Sequence, residues 1–192
     1  MIKKLSFYDF DSTLVDSPMP ETGKDQWAQH YGTPYPHIGW WGRAESLDMN
    51  VFDIDIYENI VSLAKKDIQD PNTRAYILTS RLERLRPQLT AILDSIGLHF
   101  DELILKKDER SKGQVVLDEI AKYPDVERVD VYDDNFEREI MSFKSIRNDI
   151  PDNIQFNIFH VSQGSLNLIK ERYNIQNIIQ EEIENIVNDF KY

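Results

Sequence analysis

Apolar residues along this chain come in five short bursts separated by longer amphipathic stretches. The bursts run from Lys3 to Asp9 (Leu5, Phe7), Arg74 to Thr79, Leu103 to Leu105, Val126 to Tyr132 and Ile154 to Val161. Their length and their β-branched and aromatic content predict strands. Between them, apolar positions recur at helical spacing over Ile54 to Ile68, at Leu89, Ile92, Leu93 and Ile96, at Val115, Val116 and Ile120, and from Ser165 to Phe190. Pro87 stands where a first-turn proline belongs and Gly97 just past the last apolar position, which punctuates the second of these helices. Strands alternating with helices predict an α/β fold, Rossmann-like and three-layered. A mostly parallel five-stranded sheet would carry helices on both faces and its active site outside the carboxyl ends of the strands.

One stretch breaks the alternation. From Ser17 to about residue 50 the chain gathers Pro18, Pro20, Gly23, Gly32, Pro34, Pro36, Gly39 and Gly42 among Trp27, Tyr31, Tyr35, Trp40 and Trp41. This predicts a small, loop-rich aromatic insertion after the first strand, of the kind that serves as a lid or substrate-binding segment. Residues 1–192 are then one domain, with 17–50 a cap-like insertion and 165–190 a C-terminal helical segment that packs on the domain or mediates dimerisation; the oligomeric state stays open.

Composition narrows the chemistry. The absence of cysteine removes disulfides, thiolate nucleophiles and cysteine-ligated zinc. A net charge of −12 disfavours a non-specific nucleic-acid binder, although a few arginines around one site can outweigh a distant acidic surface. The apolar run after Lys4 is broken by Asp9, too early for a signal-peptide core, and no apolar run approaches membrane-spanning length. The expectation is a cytoplasmic protein with no membrane partner. The four histidines show no metal-ligand spacing.

The sharpest signal is Asp9-Phe10-Asp11-Ser12-Thr13-Leu14, two carboxylates two residues apart at the end of the first strand. A carboxylate can attack phosphorus to form an aspartyl-phosphate while a second carboxyl group serves the leaving oxygen and then water. This assigns Asp9 as nucleophile and Asp11 as general acid and base. Two anions meeting need a cation, and Mg²⁺ takes oxygen ligands, so Asp9, Asp11 and the acidic pair Asp133-Asp134 after the fourth strand are the candidate cage. Thr79 ends the second strand and can donate a hydroxyl to the phosphoryl group. Lys112 is the preferred ammonium and Lys106 its rival. Arg81 is placed for a bidentate grip on a phosphate or a neighbouring substrate group. Each element alone is also ordinary turn or cap chemistry; their order along one sheet is what carries the assignment.

These residues resemble the four motifs of the haloacid dehalogenase (HAD) superfamily: Asp9, Asp11 and Thr13; Thr79; Lys112; Asp133 and Asp134. Ser111-Lys112-Gly113 is similar to the Lys-Gly form of the third motif, whereas Leu105-Lys106-Lys107 lacks the proline of the Lys-Pro form. Tyr8 to Pro18, Gly39-Trp40-Trp41-Gly42 and Ile77 to Arg81 look like the Swiss Army Knife RNA repair-like branch. Ser12 and Ser80 replace the usual glycines. The resemblance implies a magnesium-dependent phosphatase of a nucleic-acid terminal phosphate or a nucleotide, with Thr13, Ser80 and Arg81 near the phosphate. Trp40 and Trp41 would stack on a base or, as large aromatics usually do, anchor the insertion. The competing readings are a phosphatase of small phosphorylated metabolites and a non-catalytic binder of phosphate ends or of a protein.

Overall fold

The computed structural model describes residues 1–169. All five expected strands are present: β1 (Lys4–Tyr8), then, after a two-residue strand β2 (Val15–Asp16) and its partner β3 (Asp55–Ile56), β4 (Thr73–Leu82), β5 (Glu102–Lys106), β6 (Arg128–Asp133) and β7 (Gln155–Ser162). Among the described residues the sheet has six strands, not five. Ser165–Leu168, expected as the start of a helix, forms β8, which returns antiparallel along β7. Gln163 and Gly164 between them have φ of 48° and 74°, the left-handed pair that closes a two-residue hairpin, and glutamine is a weak announcement of that turn. The rest of the helical segment expected over 165–190 lies outside the described residues.

The order β5-β4-β1-β6-β7-β8 puts β1 at the centre, with the chain leaving it to one side through β4 and returning to the other through β6. β1, β4, β5, β6 and β7 are mutually parallel. The connections to β4 and to β6 run to opposite sides of β1, which opens a crevice at its carboxyl end, where ligands bind in such sheets.

Period-two alternation divides the strands between two cores. Tyr8, Tyr132 and Ile77 face α2 (Glu58–Gln69) and α3 (Arg86–Ser95). Leu5, Phe7, Val129, Val131 and Ile158 face α4 (Lys112–Ile120) and α5 (Met141–Ser145). The helices therefore cover both faces, giving three layers. On the first face Tyr8, Tyr132 and Phe159, in register on β1, β6 and β7, stack with centroids 4.5 and 4.8 Å apart. The ladder locks the central strands to one another, and with them the residues at their carboxyl ends.

The insertion is more ordered than its prolines and glycines predict. It contains α1 (Pro20–Tyr31), in which Pro20 occupies the first turn and Gly32, at φ 69°, is the left-handed stop. These two residues, taken from the sequence as loop signals, are the punctuation of a helix. Its base is pinned by the β2–β3 ribbon. Trp40 is 4% exposed and seals α1: its indole N–H donates to the Pro18 carbonyl at 2.7 Å, and a Cβ on Gly23 would lie 2.3 Å from its ring. No helix among the described residues is long and apolar enough to cross a membrane.

Candidate active site

Asp9 is the first residue past β1 and Asp133 the last of β6, so the parallel pairing of Tyr8 with Tyr132 brings their carboxylates to one floor. The Asp9 amide donates to the Tyr132 carbonyl at 2.9 Å. Carboxylate oxygens of Asp9, Asp133 and Asp134 all lie within 4.8 Å of one another. Between them stands Lys112, whose Nζ donates to Asp9 Oδ1 at 2.7 Å and to Asp133 Oδ2 at 2.7 Å. Ser111 caps α4 by accepting from the Gln114 amide, which places Lys112 in the first helical turn, aimed at the floor. Gly113 lets α4 approach α5: an added Cβ would sit 2.5 Å from the Ser142 carbonyl oxygen. Lys106, the rival lysine, is exposed at the end of β5 and pairs with Glu109 at 3.7 Å.

The charges on this floor are strongly perturbed. Burial, reinforced by Asp133 and Asp11 against the pull of Lys112, pushes Asp9 up to about 7. Burial, with Asp9 next, raises Asp134 to about 6, and burial raises Asp133 as well. Burial works against the charge of Lys112, but Asp9, Asp133 and Glu139 outweigh it and hold the ammonium firmly protonated. Three crowded oxygen donors that resist ionisation together are what a hard divalent cation would relieve; the donor set fits Mg²⁺ and suits neither a soft metal nor zinc in a nitrogen or sulfur site.

Thr79 lies buried on β4, its Oγ1 accepting the Arg81 amide at 3.2 Å. Just beyond it β4 spends three residues where β5 spends one, the register passing from Thr79–Leu105 to Leu82–Lys106. Alternation is kept through this bulge, so Arg81 turns inward with Thr79 while Ser80 faces out. Ser80 donates to Glu139 and accepts from Arg138, both on a π-helical turn, Phe136–Ile140. A cleft of about 620 Å³ continues from Thr79, Ser80 and Lys112 between residues 106–111 and this turn.

Several expected substrate contacts are placed elsewhere. Arg81 is 3% exposed and grips Asp11 by both oxygens, Nε to Oδ2 at 2.9 Å and Nη2 to Oδ1 at 2.8 Å. Thr13 is fully buried, its hydroxyl without a partner among the described residues, so it supports the loop from behind. Trp40 is consumed by the insertion. Trp41 is 40% exposed, yet one ring face is covered by the Arg81 guanidinium, 4.9 Å from its centroid. Lys106 stays apart from the floor. Ser12 has φ 55°, which explains why glycine suits that position and what the serine tolerates in strain.

Four residues at the site have no local signature in the sequence. Ser17 donates to Asp11, Ser46 accepts from Arg81, Glu139 adds negative charge near Lys112, and the His160 ring lies 3.0 Å from the Asp134 carbonyl oxygen. Only His160 could have been found, because strand register sets it opposite Asp133.

The central-strand acids, the lysine between them and the three-layer sheet define the architecture of HAD-type hydrolases. The chain belongs to HAD domain family 1 in Swiss Army Knife RNA repair proteins, whose model matches residues 32–184. That span takes in Thr79, Lys112, Asp133 and Asp134 and begins after the Asp9–Thr13 loop. Among solved structures, the chain resembles the HAD domain of effector protein Lem4 from Legionella pneumophila, an inactive mutant, at 13% identity, covering 100% of both chains with a TM-score of 0.50. A haloacid dehalogenase-like hydrolase from Streptococcus pneumoniae is 15% identical over 81% of this chain and 83% of its own, with a TM-score of 0.47. A HAD-superfamily subfamily IA hydrolase from Geobacter sulfurreducens is 15% identical over 81% and 85%, with a TM-score of 0.43. No curated protein matches significantly. At these identities the likeness concerns the fold.

Proposed function

We propose that the protein is a phosphomonoesterase working through an aspartyl-phosphate on Asp9. The observation that carries this is Lys112, buried with its ammonium 2.7 Å from both Asp9 and Asp133. A lysine held at that depth neutralises a floor on which an anionic substrate has to land. An Asp9 oxygen attacks phosphorus and the ester P–O bond breaks, Asp11 giving a proton to the leaving oxygen. Asp11 then takes a proton from water as the water oxygen attacks phosphorus, releasing inorganic phosphate and restoring Asp9. Thr79 and Lys112 donate to the phosphoryl oxygens throughout. Asp9, Asp133 and Asp134, with the Asp11 backbone, would hold Mg²⁺, which when bound offsets the charge of nucleophile and phosphate.

The substrate we propose is a nucleic-acid terminal phosphate or a nucleotide. The family's association with RNA repair supports it. A small phosphorylated metabolite is the second reading, favoured by a specific observation: Trp40 and Arg81, the expected base and phosphate contacts, are spent inside the protein. Magnesium-dependent phosphate release from 3′- and 5′-phosphorylated oligonucleotides, mononucleotides and an aryl phosphate separates the two. Preference for one oligonucleotide end supports the first reading, activity confined to small esters the second, and no release from any of them refutes the phosphatase.

A further inference from the structure

Every nitrogen of the Arg81 guanidinium is committed. Besides its two bonds to Asp11, its Nη1 donates to the Trp41 carbonyl at 2.8 Å and to Ser46 Oγ at 2.7 Å, and its guanidinium lies over the Trp41 ring. Trp41 and Ser46 belong to the insertion, and so does Ser17, which donates to Asp11 Oδ1. Ser46 is itself fixed, donating to the Arg43 carbonyl at 2.8 Å. One buried cation thus ties the carboxylate assigned as acid and base to the far side of the insertion. The planar fork matters: it meets both oxygens of Asp11 on one edge and the insertion on the other, which the point charge of a lysine cannot reproduce.

We propose that Arg81 is a positioning residue that makes docking of the insertion and orientation of Asp11 a single event. The insertion is on this account no independent lid: it sits down only when Asp11 and Arg81 are paired, and Asp11 points correctly only when the insertion is down. The catalytic half of the inference rests on the phosphatase reading; the mechanical half does not.

The test therefore has two arms. Hydrogen exchange of the amides of residues 41–47 is measured in the wild type and in Asp11→Asn, Arg81→Gln and Ser46→Ala. The expectation is about tenfold or faster exchange in Asp11→Asn and Arg81→Gln, with the β1 and β6 amides unchanged. Asp11→Asn is the informative variant, because it preserves shape and touches nothing in the insertion except through Arg81 and Ser17. In the second arm, turnover of an aryl phosphate is followed together with the amount of phosphoenzyme. Arg81→Gln should lower kcat by about 10²-fold, the size of a misplaced acid and base; phosphoenzyme should accumulate because water is no longer activated on time, and KM should fall with kcat so that kcat/KM for the aryl ester changes little. Arg81→Lys should recover only part of the rate. Ser46→Ala, remote from substrate, should lower kcat severalfold in the same pattern. Unchanged exchange at 41–47 in Asp11→Asn overturns the proposal, as does an undiminished kcat in Ser46→Ala. Should Arg81→Gln fail to fold, those two variants decide alone. A wild type inactive on every ester removes the phosphatase reading and leaves the exchange arm to judge the coupling.

Discussion

The site has two halves built on different principles. On the floor, Asp9, Asp133 and Lys112 each sit at the end of a strand or the start of a helix, so backbone register alone delivers them. On the insertion side, Asp11, Arg81, Ser17, Trp41 and Ser46 come together through side-chain bonds between segments far apart in sequence. The floor places charge where chemistry needs it and is indifferent to the insertion's detail. The insertion side spends its polar groups on holding itself together. Damage to the floor should remove chemistry, and damage to the insertion's own packing, as at Trp40, should remove stability.

The largest separation of the two is expected from Asp9→Asn, which should abolish turnover, a loss of at least about 10³-fold, while leaving the far-ultraviolet spectrum and melting curve near those of the wild type. Lys112→Ala should affect both quantities. Removing the cation between two buried carboxylates costs about 3–5 kcal/mol, visible as a lower denaturation midpoint, and turnover should fall below detection. Trp40→Ala should cost about 3–5 kcal/mol by leaving a void beneath α1, whereas Trp41→Ala should cost under about 1 kcal/mol; equal costs would erase the distinction between sealed and exposed indoles.

Magnesium provides a gentler probe of the floor. Asp9 and Asp134 are held at about 7 and about 6, above the ordinary 3.8 of an aspartate, so the folded state binds protons that the unfolded chain has released. In metal-free protein their contribution to stability is therefore lost as pH rises from about 4 to 7. A cation requires the ionised forms, so the rise in melting temperature on adding Mg²⁺ should be small at pH 5 and larger at pH 8, worth about 2–4 kcal/mol at saturation. A shift independent of pH would mean that these carboxylates are not the ligands. The smallest effect is expected at Ser12→Gly, where relief of a left-handed serine should give up to about 1 kcal/mol of added stability.

The contrast also explains what could be foreseen. The strands, three of the helices and the positions of the acidic pair, Thr79 and Lys112 were legible because burial imposes periodicity and strand ends inherit position from it. α1 was hidden because its helix is mostly polar and its Pro20 and Gly32 look like turn residues out of context. β8 was hidden because a Gln-Gly turn is a faint hairpin signal. Arg81 was noticed as a phosphate or substrate grip, and its pairing with Asp11 carried no local signal. Strand alternation puts it on the same side as Thr79, and only the folded structure shows that Asp11 is the group it meets there. Ser17 and Ser46 carry no signal beyond being serines; their roles exist only once the insertion has folded back.

The account stands or falls on whether Asp9 carries the phosphoryl group. Rapid quenching of wild type with an aryl phosphate and Mg²⁺, reduction of the acyl phosphate with tritiated borohydride to leave labelled homoserine, and peptide mapping read this directly. The account predicts one labelled site per chain, on the peptide containing Asp9, lost in Asp9→Asn. Steady turnover with label on another residue, or undiminished turnover by Asp9→Asn, would contradict it.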